Sequence, residues 1–325
     1  MTAPAGTQQS SAGPLGRLAL SRGTVDRATA RRSDPAWVAA AWADPRTRVL
    51  VVNDSRALVR SGANGPELVF LPPGEAPAGT RFLLGADDGV AYFGVSGELS
   101  AEAIVRSDDD DVKPMSLRQA GAVLSDRDAG LFTHAVALAN WHDTHTHCPQ
   151  CGAPTVPAPA GHLTTCPVDG TEHFPRLDPA VIMLVTDRQD RCLLARNTAW
   201  PQRRMSLLAG FVEPGESAEQ AVAREVFEET AITVGQIRYL GSQPWPMPRS
   251  LMLGFQALAM GGQQIAVDGE EIGEARWFGR AELRAGIDAG ELALAPTSSI
   301  ARRLIEYWYG AELPDGPDAW AAPSR

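Results

Sequence analysis

The sequence predicts an α/β protein of more than one domain: a small β-rich (α+β) N-terminal domain, a short cysteine-bearing segment and a C-terminal α/β domain. Three observations carry this. At 325 residues the chain is longer than one hydrophobic core usually organises. Short apolar runs bounded by turn residues recur from about residue 34 to 105. At Asp178 the texture changes, and strand-like apolar runs flank one glutamate-rich helical stretch. Composition narrows the function. The hydrophobic content of 44% is ordinary for a globular chain. A formal charge of −10 argues against general binding to phosphate backbones or anionic membranes. No apolar run approaches bilayer length, and the N-terminus has no secretory apolar core. Four cysteines, two of them in a CxxC, suit a reducing cytoplasm and metal binding better than a disulfide scaffold.

In chain order, residues 1–33 read as a flexible start. RVLVVND, ELVFLPPG, RFLLGADDG and VAYFGVSG read as short strands of a domain over 34–140. The acidic run Asp108 to Asp111 reads as a solvated loop. LRQAGAVLSDRDAGLFTHAVALANWHDTH predicts one or two helices ending at the cysteines. Residues 141–177 form a zinc-ribbon-like segment: Cys148 and Cys151 in a CxxC, then Cys166. Asp169 stands where such a ribbon would place its fourth cysteine, with His173 and His147 as other candidate ligands; the role of zinc here would be structural.

From 178 to 310 lies a second α/β domain. AVIMLVTD and RCLLARN predict a buried hairpin, with Cys192 in the core, and RRMSLLAG a third strand running into Gly210. RYLGSQPWP, SLMLGFQALAM and ARWFGRAEL alternate strand and turn, and SIARRLIEYWYG is an amphipathic closing helix. Residues 311–325, rich in Pro and Asp, read as a flexible tail.

Between these strands Ser217 and Gln220 make a capping-box pattern, which starts a helix that runs to about Thr230. On it Glu225, Glu228 and Glu229 fall at i, i+3 and i+4 and share one face. Carboxylates this close repel unless a cation lies among them, and their hard oxygens suit Mg²⁺ or Mn²⁺. Arg224 is placed to pair with Glu228. A solvated acidic helix face is the bland alternative.

The spacing Gly210-x5-Glu216-x7-Arg224-Glu225-Val226-x-Glu228-Glu229-x-Ala231-Ile232 resembles the Nudix box, with Ala231 where that family usually has glycine. The resemblance implies an α/β/α sandwich with a mixed sheet that hydrolyses a nucleoside diphosphate linked to another group. It implies Arg224, Glu225, Glu228 and Glu229 as catalytic. It implies the carbonyl of Ala209 and the carboxylate of Glu271 as further Mg²⁺ or Mn²⁺ ligands, with Glu270 the nearest confounder of Glu271.

SQPWPMPRS, Ser242 to Ser250, is similar to the motif of the NADH pyrophosphatase branch, with Met247 for the usual phenylalanine. Its prolines stiffen the loop, which would present Gln243 and Trp245 to a ligand at little entropic cost. The resemblance implies substrate contacts at Gln243, Pro244, Trp245, Pro246, Met247, Ser250 and Met252. Further matches are Phe211, Phe174 (normally tyrosine), Arg118 and Ala301. It also implies four zinc cysteines, from which Asp169 departs, and a homodimer with a composite site. The implied substrates are NADH or NAD⁺, cut to nicotinamide mononucleotide and AMP, and RNA carrying a 5′ NAD cap. Two alternatives stand beside this: a Nudix enzyme acting on ADP-ribose or another nucleoside diphosphate conjugate, and a zinc-ribbon nucleic-acid adaptor with a non-catalytic Nudix fold.

Overall fold

The computed structural model describes residues 13–99, 112–262 and 264–315. The chain divides into two compact units. One comprises residues up to Leu18, Pro179–Gln243 and residues from Met252 onward; the other comprises Ala19–Asp178 and Pro244–Leu251.

In the second of these, helix α1 (Pro35–Ala43) is an element that the strand pattern of the sequence missed. It starts because the Asp34 carboxylate accepts from the Ala36 and Trp37 N–H groups and Pro35 fits the first turn. Strands β1 (Arg48–Val52), β2 (Arg56–Gly62), β3 (Gly65–Leu68), β4 (Thr80–Asp87), β5 (Val90–Ser96) and β6 (Lys113–Ser116) form two three-stranded sheets. In one, β5 lies between β1, parallel to it, and β4, antiparallel to it. In the other, β2 lies antiparallel between β3 and β6. Helices α2 (Leu117–Ala120) and α3 (Asp126–Thr144) follow.

The period of two along the strands sorts their side chains. Leu50, Val52, Phe82 and Leu84 pack with α3 residues, whereas Val49, Leu83, Phe93 and Val95 pack with Val38 of α1. The sheet is therefore covered on both faces. Three two-residue strands, β7 (Val156–Pro157), β8 (Thr164–Thr165) and β9 (Glu172–His173), make the small antiparallel sheet of the cysteine segment.

In the other unit β10 (Asp178–Thr186), β11 (Cys192–Asn197) and β12 (Leu208–Phe211) lead to helix α4 (Ala218–Thr230). Strands β13 (Val234–Trp245), β14 (Ser250–Ala259) and β15 (Ile272–Phe278) and helices α5 (Arg280–Asp288) and α6 (Ile300–Tyr309) complete it. The sheet order is β13-β14-β10-β11-β15, with β12 paired to β10. Along β10, Val181, Met183 and Val185 pack with Ala221, Val222 and Val226 of α4. Ile182 and Leu184 pack with Leu283 and Ile287 of α5 and Leu304 and Ile305 of α6. This is the expected α/β/α sandwich, and each buried aliphatic side chain contributes roughly 1.5–3 kcal/mol.

Both ends are more fixed than composition suggests. Residues 13–33 are not a loose start: Leu15 and Leu18 lie in the core beside α6, and Leu20 lies in the core of its own unit with α3. The beginning of the tail is held as well. Leu313 is buried, and the buried Arg302 guanidinium donates to the Leu313 and Pro314 carbonyls while pairing with Glu306 at 2.8 Å. Residues 1–12 and 316–325 and the Asp108–Asp111 run lie outside the described residues. Among the described residues no helix is long and apolar enough to cross a membrane.

Candidate active site

Strand β12 carries Ala209, Gly210 and Phe211 opposite Ile182, Val181 and Ala180 of β10. Helix α4 returns past it, begun by the Ser217–Gln220 capping box that the sequence predicts. The Glu225 carboxylate lies so close to Gly210 that a Cβ there would stand 1.9 Å from its Cδ. A side chain at this position would displace the Glu225 carboxylate from where the strand meets the helix.

Arg224 organises the carboxylates. It pairs with Glu228, as expected, but also with Glu216 through Nε and Nη2 (both 2.9 Å), with Glu225 (2.9 Å) and with the Phe211 carbonyl (2.9 Å). These acceptors raise its pKa, Glu216 most of all. The glycine-to-helix connection is thereby closed by a charge-assisted network with bidentate geometry.

Glu229 has no such partner. It is 5% exposed, and its Oε2 lacks a hydrogen bond among the described residues. Burial, and then the charges of Glu225, Glu271, Asp268 and Glu228, push its pKa up to about 8. Burial likewise raises Glu225, with Arg224 opposing. Glu271 acts electrostatically on both Glu225 and Glu229, whereas Glu270, the confounder, is not among the leading causes of either shift. Its loop is tied down by Thr198, whose N–H donates to the Glu271 carbonyl and whose hydroxyl donates to that of Glu270. A buried carboxylate oxygen with no donor, inside a ring of other carboxylates, is a poor place for a proton-free acid and a good one for a divalent cation. The donor set is entirely oxygen, which suits Mg²⁺ or Mn²⁺.

A second donor set sits in the cysteine segment. One ligand atom each from Cys148, Cys151, Cys166 and Asp169 lies within 4.8 Å of all the others. The Thr171 N–H, 2.9 Å from Asp169, helps hold that carboxyl well below its ordinary range, so it stays ionised. Three thiols and a carboxylate at this spacing fit tetrahedral Zn²⁺. His147 and His173 are outside the cluster; His173 instead pairs with Thr164 across β8 and β9.

The other sequence-predicted residues are dispersed. Phe211 and Phe174 are exposed. The Trp245 ring and Met247 pack against the core of the unit that contains α3, with the Arg118 guanidinium 5.4 Å from the Trp245 ring centroid. Pro246 is buried, while Pro244, Ser250 and Met252 are half-buried. Two more have buried side chains. Gln243 is 0% exposed, and its amide donates to the Ser298 carbonyl at 3.0 Å. Ala301 is 2% exposed and lies in a hydrophobic core, which leaves its backbone as the part that could meet a substrate.

Sequence reasoning missed two residues. Asp268 adds to the carboxylate field; its place two residues before Glu270 in an acidic loop was the available signal. Asn140 donates to the carbonyls of Pro246 (2.6 Å) and Pro248 (3.3 Å) and clamps the proline-rich loop. Nothing local in α3 marks it, because its partners are more than a hundred residues away in sequence.

Residues 176–297 match the NUDIX domain model, 46–141 an NADH pyrophosphatase-like rudimentary NUDIX domain, and 143–174 an NADH pyrophosphatase zinc ribbon domain. Proteins named NAD-capped RNA hydrolase NudC from Mycobacterium bovis and Mycobacterium tuberculosis are each 44% identical over 308 residues, covering 90% of this chain and 95% of theirs. The human NAD-capped RNA hydrolase NUDT12 is 39% identical over 197 residues, 57% of this chain and 42% of its own.

Proposed function

The chain belongs to the NUDIX hydrolase family, in the branch that joins a rudimentary NUDIX domain and a zinc ribbon to the NUDIX domain, and from that premise we propose its reaction. It cleaves the pyrophosphate bond of NADH and NAD⁺, releasing the corresponding nicotinamide mononucleotide and AMP, and removes 5′ NAD caps from RNA. The observation that carries hydrolysis is the buried, donorless Glu229 carboxylate among Glu225, Glu228 and Glu271. The relatives named as NAD-capped RNA hydrolases and the SQPWPMPRS motif support the choice of substrate.

In this reading Glu225, Glu228, Glu229, Glu271 and the Ala209 carbonyl hold Mg²⁺ or Mn²⁺. When bound, such ions offset the charge of the pyrophosphate and make water a competent nucleophile near neutral pH. Arg224 is a positioning residue: its bonds to Glu216, Glu225 and Glu228 fix the carboxylates in one arrangement. Cys148, Cys151, Cys166 and Asp169 hold structural Zn²⁺. Asn140 keeps Trp245 and Met247 in place through the loop backbone, and Arg118 covers the Trp245 ring. The same reading makes the protein a cytoplasmic homodimer with a composite active site.

The test is product analysis after incubation with NADH and Mg²⁺ or Mn²⁺, with Glu229→Gln alongside. Reduced nicotinamide mononucleotide and AMP, lost in the variant, are expected. Cleavage of ADP-ribose but not NADH would replace this substrate with a nucleoside diphosphate conjugate. No cleavage of either would overturn the enzyme reading in favour of a nucleotide-binding adaptor.

A further inference from the structure

The unit that contains α3 holds a cleft of about 380 Å³, whose lining includes none of the clustered glutamates. It lies between residues 20–27, an extended strap, and α3. The strap is firmly built. Arg22 is buried and spends its guanidinium on Asp126 (2.9 Å) and on the carbonyls of Ala19, Gly121 and Leu124. The Asp26 carbonyl accepts from the Ala86 N–H at 2.8 Å. The strap crosses α3 so closely that a Cβ on Gly130 would stand 2.4 Å from the Gly23 Cα.

Five residues on from Arg22, Arg27 behaves in the opposite way. It lines the cleft and has no hydrogen bond or ion pair among the described residues. Its surroundings are cationic. Its side chain is exposed at the surface of the cleft, yet packed closely enough that desolvation, and then Arg32, lower its pKa. His134 in the cleft wall is 8% exposed, and burial, then Arg27, His162 and Arg32, lower it well below its ordinary value. His162 is held at about 4 by burial, with both arginines and His142 adding to the effect. The leading charges on these three groups are all cationic.

The wall also has acceptors. The Leu84 carbonyl, 3.3 Å from His134 Nδ1, can only accept, so that nitrogen carries the proton and Nε2 keeps a lone pair. Thr133 gives its hydroxyl hydrogen to the Ala129 carbonyl at 2.7 Å, which leaves its oxygen as an acceptor. Leu20, Leu84, Leu131 and Ala137 supply apolar wall. One unpaired guanidinium, two acceptors and apolar wall in a cleft of small-ligand size describe a complementary molecule: an anionic group at one end, hydrogen-bond donors at the other, and a flat apolar body between.

We propose that this cleft is a second binding site, for a nucleoside monophosphate or a ligand of that chemistry. The phosphate pairs with Arg27, the donor edge of the base faces His134 and Thr133, and the ring lies on the leucine wall. The site does not depend on catalysis at the carboxylate cluster.

The test is hydrogen–deuterium exchange and calorimetry with AMP as probe, on zinc-loaded protein in chelator-free buffer without Mg²⁺ or Mn²⁺, so that the carboxylates are not loaded and the cysteine cluster keeps its zinc. The wild type should show AMP-dependent protection of peptides spanning residues 19–27 and 130–137. Arg27→Glu should weaken that binding at least tenfold. Ala137→Leu, which fills the cleft without touching charge, should do the same. Ribose 5-phosphate, lacking the base, should bind more weakly than AMP. Both variants should keep the wild-type melting temperature and turnover of NADH. No protection of these peptides in the wild type, or protection that persists in Arg27→Glu or in Ala137→Leu, would overturn the proposal.

Discussion

Each unit of this protein buries a carboxylate on the helix that covers its sheet, and the two are treated in opposite ways. Asp128 of α3 is 1% exposed and fully answered: the Leu68 N–H donates to one oxygen at 3.1 Å and Arg127 to the other at 2.9 Å. Glu229 of α4 is 5% exposed, with one oxygen unanswered and acids as its charged neighbours. Both units also have a sheet whose strands send alternate side chains to helices on its two faces. A satisfied buried acid holds a fold together; an unsatisfied one costs stability and marks a place where something is to be bound.

The sharpest way to break this contrast is Glu229→Gln. A loss of turnover on the order of 10²-fold or more is expected, read in steady-state kinetics. Stability should respond the other way. The folded pKa of Glu229, about 8, lies above its ordinary value of 4.5. Below 4.5 the acid is protonated in both states and costs nothing. As pH rises from 4.5 through 8 the unfolded chain ionises and the folded one resists, so stability is lost across that window. The melting temperature of metal-free protein should therefore fall from pH 5 to pH 8. Glu229→Gln should flatten that fall, and an unchanged slope in the variant would remove Glu229 from the argument.

Asp128→Asn is the counterpart. Here the expected loss is stability, about 1–3 kcal/mol by chemical denaturation, with kcat per folded molecule unchanged. A variant that kept its stability and lost its turnover would erase the distinction between the two acids. Next in size is Asn140→Ala. Freed from the clamp, the Pro246–Pro248 backbone should let Trp245 and Met247 wander. KM for NADH should rise several-fold with kcat little changed, and a drop in kcat alone would contradict a positioning role. The smallest expected effect is at the end of α4, where Ala231 adopts φ 57°, ψ 18°. Glycine takes this left-handed conformation without a Cβ clash, so Ala231→Gly should stabilise the fold by about 0.5–1 kcal/mol, visible as a small rise in melting temperature.

Much of this was legible in the chain. The capping box at Ser217 and Gln220, the three glutamates on one face, and the alternation in AVIMLVTD all follow from local rules, because each depends on neighbours within a turn or a strand. The proline-rich loop was legible as stiff but not in its contacts. Gln243, expected to face a ligand, is spent on the Ser298 carbonyl, 55 residues away in sequence. Helix α1 was passed over because its alanines and tryptophans show no apolar periodicity; its Asp34 cap and Pro35 were the overlooked cue.

By itself, then, the sequence determined the elements and the chemical types gathered on them: glutamates for a hard cation, cysteines for zinc, prolines for a stiff loop. Tertiary structure decided which of those groups are answered. That Arg224 satisfies Glu216, Glu225 and Glu228 but not Glu229, that Asp169 closes the cysteine cluster while His173 does not, and that Arg22 is consumed by carbonyls and Asp126 while Arg27 has no hydrogen-bond partner among the described residues all depend on distances set by the packed chain. Burial and hydrogen-bond satisfaction are properties of the packed molecule, and no local pattern of residue types contains them.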